Sequence, residues 1–233
     1  MGKARLGGGS MRENALMREK PAFNAEWASP RAFFTKDRNL LSGYYEVRQT
    51  CYRLVRNGPR NFCGAEDQFD QNSDILVVTL GQRVVGGARI SGAGLEKERH
   101  LPLEQDGLVL DDVFPELRLS EQTYCEFSRM AILPGYRTPA LVDELICSLL
   151  TMAILRGYGF LFAMSPLVQA RCYRKVVKNN DFPFDFLIHD QFVLPPKSEA
   201  ECGSLKMFLS SLQFPKSLNE WRSPAVLEKA KAA

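Results

Sequence analysis

Apolar residues recur at three- and four-residue steps between Leu40 and Arg56, at Leu40, Leu41, Tyr44, Val47, Cys51, Leu54 and Val55, and this spacing predicts a helix. A polar loop, "RNGPRNFCGAEDQFDQNSD", follows it. The pattern then changes to β-rich runs, "ILVVTL" and "RVVGGARIS", joined at "GQ", which predicts a tight hairpin. "GAGLEKERHLPLEQDG" reads as a long polar connection and "LVLDDVFPEL" as a short helix or turn. A strand is expected from Tyr124 to about Leu133, entering a Pro-Gly turn. Simple alternation would put Glu126, Ser128 and Met130 on one face of it and Phe127, Arg129 and Ala131 on the other.

The second half of the chain alternates more regularly. "TPALVDELICSLLTMAILRGYG" predicts an amphipathic helix with Leu141, Leu145 and Leu149 on one stripe, Val142, Ile146 and Leu150 beside it, and Gly157 past its end. Its first backbone N–H groups, at Pro139 to Val142, are expected to offer free donors to a phosphate or carbonyl oxygen. "FLFAMS" reads as a buried strand, "PLVQARCYRKVVKNN" as a helix with Pro166 in its first turn, and "FDFLIHDQFVL" and "SLKMFLSSL" as closing strands. Residues 1–38 are polar, broken by Pro21 and Pro30, and read as a flexible arm that includes a linker-like "GGGS" before Met11, with some helix around Arg12 to Lys20. The expected organisation is that arm, one folded domain over 39–221 and a tail over 222–233. Strands alternating with helices predict an α+β domain, a three-layer α/β arrangement in which a mixed β-sheet is flanked by helices.

Composition narrows the function classes. At 233 residues, with 45% hydrophobic and 24% charged residues, the chain is an ordinary globular one with room for one core. A net charge of +3 is too small to argue for nucleic acid but permits an acidic protein partner. Six cysteines are scattered without a C-x-x-C pair and the chain has only two histidines, so metal-ligand spacing is absent and buried thiols are expected. The longest apolar stretch, "LICSLLTMAIL", has 11 residues, short of the ~20 of a membrane span. No apolar run follows the basic start "MGKARLGGGS", and a cytoplasmic protein is expected.

Charge inside predicted strands is the remaining anomaly. Arg48 lies on the first helix in "VRQTCYR", Asp67 and Asp70 lie in the loop at "EDQFD", Arg89 lies in the strand "VGGARIS", and Glu126 and Arg129 lie in "EFSR". Buried charges cost several kcal/mol unless paired or given a charged ligand (roughly, by desolvation). The set therefore marks an ion-pair network, a polar cleft for a zwitterionic small molecule, or both in the same residues.

The series "VRQTCYR", "EDQFD", "VVGGARI" and "EFSR" resembles the acyl-homoserine-lactone synthases, the autoinducer synthases of bacterial quorum sensing, over about Asn39 to Asn180. The resemblance implies a GCN5-related N-acyltransferase-like fold, and long-chain N-acyl amino acid synthases are close relatives within it. It places the family's helix arginine on Arg48, the following aromatic on Tyr52, the acidic loop on Asp67 and Asp70, the strand arginine on Arg89, and the E-x-S-R motif on Glu126 and Arg129. The family's first acidic position falls on Ala65, and its tryptophan after the first helix is missing near Gly58.

What the resemblance implies is transfer of a fatty acyl group from an acyl thioester, on acyl carrier protein or coenzyme A, to the amine of S-adenosylmethionine, followed by lactonisation. The alternative acceptor is a free amino acid. Neither substrate is a tightly bound cofactor, and no metal is expected. Glu126 is the candidate general base, directly or through a water, with Arg129 and Asp67 beside it in the catalytic set. Arg48, Tyr52, Asp70 and Arg89 would bind the acceptor, and backbone N–H groups near Met130 to Ile132 would meet the thioester oxygen. Arg171, Arg174, Lys175 and Lys178 form a basic stripe on one helix, a solvated face or the transient docking site of acidic acyl carrier protein.

Overall fold

A computed structural model describes residues 30–56, 66–94, 100–104, 107–194 and 206–215. The helix around Arg12 to Lys20, Cys63, Cys202 and the tail over 222–233 lie outside the described residues. Seven strands form one sheet in the order β1-β2-β3-β4-β5-β7-β6: β1 Arg31–Thr35, β2 Asp74–Leu80, β3 Arg83–Gly94, β4 Thr123–Ile132, β5 Phe160–Pro166, β6 Leu187–Leu194 and β7 Met207–Gln213. Only β4 and β5 pair in parallel, so the sheet is mixed as expected. Among the described residues four α-helices accompany it: α1 Arg38–Arg56, the single-turn α2 Leu110–Val113, α3 Pro139–Leu155 and α4 Leu167–Asn179.

The predicted hairpin is β2–β3, turning at Gly81, whose φ of 59° suits a residue without Cβ. β1 is a departure: Arg31–Thr35 lies within the expected arm but pairs antiparallel with β2 as the sheet's edge. Its alternating exposure explains why five residues after Pro30 carry little hydrophobic signal.

The two faces of the sheet are covered differently. One face, through Leu76, Val78, Ala88, Ile90, Cys125, Phe127, Leu161 and Ala163, packs on α3 and α4 through Leu141, Leu145, Leu149, Tyr173 and Val176. Leu145 and Leu149 are fully buried in this core. α3 also buries Ile146, Cys147, Leu150 and Ala153, so it is apolar around most of its circumference instead of along one stripe. The opposite face carries α1 at the β2–β3 end, where Tyr44 packs on Ile75 and Val77. At the β5–β7 end it is capped by the 101–119 segment, whose Leu101, Leu103, Leu110, Phe114 and Leu119 close over Phe160, Phe162 and Leu209. Glu104 secures this segment by accepting the N–H groups of Leu101 and Leu110, and Asp111 accepts those of Leu119 and Ser120.

Between the two covers, in the middle of the sheet, lies the charged set. No described helix is long and apolar enough to cross a membrane.

Candidate active site

Strand β4 runs through the centre of the site, and its geometry departs from simple alternation at one residue. Gly87 opposes Ala131 and Arg89 opposes Ser128, so one residue of β3, Ala88, faces two of β4, Arg129 and Met130. This is a β-bulge, and Arg129 takes the left-handed conformation with φ of 57°. The bulge inverts the face of everything after it. Met130 joins Phe127 on the α3–α4 side, where the Tyr173 hydroxyl approaches its sulfur at 3.9 Å. Ala131 turns to the α1 side against Val47 and Cys51. Glu126 and Arg129 therefore share the α1 side, which corrects the expected division of this strand into two alternating faces.

The acidic loop reaches the same side. Asp70, whose side chain is fully buried, accepts two hydrogen bonds from Arg48 (3.1 and 2.9 Å), one from Arg89 (2.9 Å) and one from the N–H of Asp67 (2.8 Å). Asp67 is bound by Arg89 and by Arg129, whose nitrogens stand 3.2 and 3.1 Å from its Oδ2. Arg89 also donates to Ser128 Oγ at 3.1 Å. Arg48 and Arg89 are each 1% exposed, whereas the Arg129 side chain is 31% exposed. Among the described residues, these three guanidiniums meet two carboxylates, and Arg129 is the one of the three that opens to solvent.

The titration of these groups follows from the pairing. Burial acts to raise the Asp67 carboxyl, but Arg89, Arg129 and Arg48 outweigh it and hold it below its ordinary value. Burial acts against the Arg48 charge, and its hydrogen bond to Asp70 reverses the balance and raises it. Arg48 further lies over Tyr44 and Tyr45, Arg89 over Phe69 and Arg129 over Tyr52, with centroid distances of 5.1–6.0 Å.

Glu126 sits apart from this network. It is 4% exposed and its Oε2 accepts the Leu103 N–H at 2.8 Å, tying the capping segment to β4. Four residues of strand separate it from Met130, on the order of 13 Å at 3.3 Å per residue.

An opening exists at the C-terminal ends of the parallel strands. The β4–β5 ladder runs only from Tyr124–Phe160 to Phe127–Ala163, although β4 continues to Ile132 and β5 to Pro166. The bulged Met130 thus lies outside the registers of both β3 and β5, whereas Ala131 and Ile132 are back in register with β3. The Ile132 carbonyl is also used, accepting from Arg137 Nε and Cys51 Sγ. The start of α3 offers less than the sequence suggests. Pro139 has no N–H, Leu141 donates to the Thr138 hydroxyl (3.2 Å) and Val142 to the Thr138 carbonyl (3.1 Å). The basic stripe is as drawn: Arg171, Arg174, Lys175 and Lys178 are all exposed on α4, which leaves directly from β5 at this opening. Three contributors went unnoticed in the sequence: the Tyr44 hydroxyl, Ser128 and the Leu103 N–H. Tyr44, one helical turn before Arg48, carried a positional signal; a backbone N–H carries none. No group of three or more His, Cys, Asp or Glu residues able to hold a metal occurs among the described residues.

The family model of FeeM, N-acyl amino acid synthase, matches residues 44–182, more than half of the chain and the whole span from Tyr44 past α4. The chain belongs to the FeeM N-acyl amino acid synthase family. It is an N-acyltransferase. No curated protein sequence matches it. Among solved structures it is similar to FeeM, an N-acyl amino acid synthase from uncultured soil microbes, with a TM-score of 0.60, 14% identity, and coverage of 88% of this chain and 98% of that one. It is similar also to the acyl-homoserine-lactone synthase LasI, at TM-score 0.53 and 14% identity over 82% of this chain and 93% of that one. A third is yncA, a putative acetyltransferase from Salmonella typhimurium solved with acetyl-CoA, at 0.52 and 13% over 81% and 95%. At these identities the likeness shows the fold, that of the GCN5-related N-acyltransferases.

Proposed function

We propose that this FeeM family member transfers a fatty acyl group from an acyl thioester to the α-amino group of a free amino acid. The observation that carries the acceptor is the state of Asp67 and Asp70. Both carboxylates are engaged by Arg48, Arg89 and Arg129, and the Arg129 side chain beside Asp67 is 31% exposed. A sulfonium such as that of S-adenosylmethionine would compete with these arginines for the two carboxylates. A carboxylate gains a charge-assisted hydrogen bond from the half-open Arg129. The membership in an N-acyl amino acid synthase family supports the same acceptor. Lactone synthesis from S-adenosylmethionine remains the competing outcome of the test below.

In this reading the thioester lies in the gap between β4 and β5 with its carbonyl oxygen on the Met130 N–H. The acceptor carboxylate is held by Arg129, flanked by Tyr52. The amine attacks the carbonyl carbon, and negative charge develops on the oxygen facing Met130. The C–S bond then breaks, the thiolate leaves, and the attacking nitrogen loses its proton to water. Glu126, 4% exposed and distant along the strand, receives that proton only through a water chain. One of its contacts is structural, to the Leu103 N–H. Arg48, Arg89 and Asp70 hold the loop and helix that carry Asp67 and so fix Arg129. The basic face of α4, beside the opening, would receive acidic acyl carrier protein as the transient donor partner.

The test is mass spectrometry of purified enzyme supplied with a long-chain acyl thioester and a mixture of free amino acids and S-adenosylmethionine. An N-acyl amino acid without methylthioadenosine supports the proposal. A lactone with methylthioadenosine would replace the acceptor and leave the acyl half standing.

A further inference from the structure

Tyr44 is an unusual core residue. It is fully buried on α1, among Ile75 and Val77, yet its hydroxyl donates to the Arg129 carbonyl at 2.7 Å, 85 positions away in the chain. The acceptor is the carbonyl of the left-handed bulge residue. The approach is built in: a Cβ on Gly87 would fall 2.6 Å from a Tyr44 ring carbon and 2.5 Å from the Leu76 carbonyl oxygen, so only glycine lets the ring lie against β3. Burial drives the phenol well above its ordinary titration range, which keeps it a donor at every working pH.

The Arg129 carbonyl and the Met130 N–H belong to one trans peptide plane and point in opposite directions. A donor fixed on the carbonyl therefore also fixes where the N–H points, away from α1. Hydrogen bonding to the carbonyl polarises the peptide as well and strengthens its N–H as a donor. The bulge residue carries backbone strain in its left-handed conformation, and such a conformation persists only when its surroundings hold it. Tyr44 supplies one such hold, and the Arg129–Asp67 pair another.

We propose that Tyr44 is a positioning residue for acyl transfer: through its hydrogen bond to the Arg129 carbonyl it orients and polarises the Met130 N–H that receives the developing oxyanion. The inference rests on the placement of the thioester oxygen at Met130 given above. It links helix α1, which also carries Arg48, to the reacting carbonyl without any contact between Tyr44 and substrate.

Tyr44→Phe removes the hydroxyl and keeps the ring. The expected result is a fall in kcat of about tenfold, less than the 10²–10³ lost with a direct oxyanion donor. KM for thioester and for acceptor should stay within about twofold, because the interaction matters in the transition state. Leu41→Ala, which loosens the same helix beside the same cluster without touching Arg129, serves as the control. It should lower the melting temperature at least as much and leave kcat within about twofold. A Tyr44→Phe enzyme with wild-type kcat overturns the proposal, and so does a loss in both variants that tracks their melting temperatures. The Met130 amide resonance in a ¹⁵N–¹H correlation spectrum gives a readout independent of turnover: it should shift in Tyr44→Phe and hold in Leu41→Ala. A wild-type protein that acylates no amine would refute the proposed function; an unmoved Met130 resonance would then still overturn the clamp, and a shifted one would still support it.

Discussion

Asp70→Asn separates a buried network from a surface one. In the wild type its carboxylate accepts from Arg48 twice, from Arg89 and from the Asp67 N–H, at 2.8–3.1 Å. Its side chain is 0% exposed and those of its two arginine partners 1%. The amide offers one acceptor oxygen and no charge, and its NH₂ points a donor at a guanidinium. Removing one partner from a buried ion pair costs about 3–5 kcal/mol because the other buried charge loses that compensation. For a chain of this size about 2–4 °C is lost per kcal/mol, so the melting temperature should fall by roughly 6–20 °C. Arg129→Ala provides the contrast. With its side chain 31% exposed and one carboxylate partner, Asp67, that change should cost about 1 kcal/mol or less in stability. Thermal unfolding followed by circular dichroism, with urea unfolding as a second measure, reads both. An Asp70→Asn protein within about 1 kcal/mol of wild type would refute the claim that the cluster's charge balance holds the loop and α1 on the sheet.

Three further outcomes follow from the same geometry. Reversing Arg174 and Lys175 to Glu should raise KM for acyl carrier protein thioester about tenfold or more and leave free acyl-CoA within about twofold, since screened surface charge acts on encounter with an acidic partner; equal losses with both donors would remove the docking face. Asp67, held low, contributes stability in full above its ordinary value near 4 and loses it as pH falls below that, so wild-type stability should fall more steeply in acid than that of Asp67→Asn; coincident acid limbs for the two proteins, each normalised to its neutral stability, would remove the linkage. Tyr45, Tyr124 and Tyr158 are pushed up to about 12 by burial, and Tyr44 and Tyr173 upward as well, so these five should add a loss of folded stability above about pH 10 as the unfolded chain ionises first, with their own phenolate absorbance rising only as the fold opens. Phenolate from all five at pH 10 in folded protein would contradict that burial.

Much of the fold was legible because hydrophobic period and turn chemistry agreed. The β2–β3 hairpin, β4, α3, β5 and α4 each combine an apolar run with a turn or cap at its end. β1 was missed since an edge strand of five residues shows one face to solvent and borrows its register from β2. The charged positions were legible as an anomaly, charges in strands, and Arg48, Asp67, Asp70, Arg89 and Arg129 do converge. Their arrangement was not legible. The bulge at Arg129 has no Gly or Pro to announce it, and it moves Met130 to the other face. Nor could Tyr44, spaced like any core residue of α1, show that its hydroxyl crosses to the bulge. Hydrogen bonds to backbone carbonyls depend on where the main chain goes, and a residue pattern records only side chains.

The central claim is that Arg129, half-open at the edge of the ion-pair cluster, reads the carboxylate of an amino-acid acceptor. The most direct measurement compares kcat/KM for an accepted amino acid with that for its carboxamide, in the wild type and in Arg129→Gln. The account predicts that the wild type prefers the free acid by about tenfold or more, as loss of a charge-assisted hydrogen bond requires, and that Arg129→Gln erases the preference. Equal use of acid and amide by the wild type, or an undiminished preference in Arg129→Gln, would contradict it.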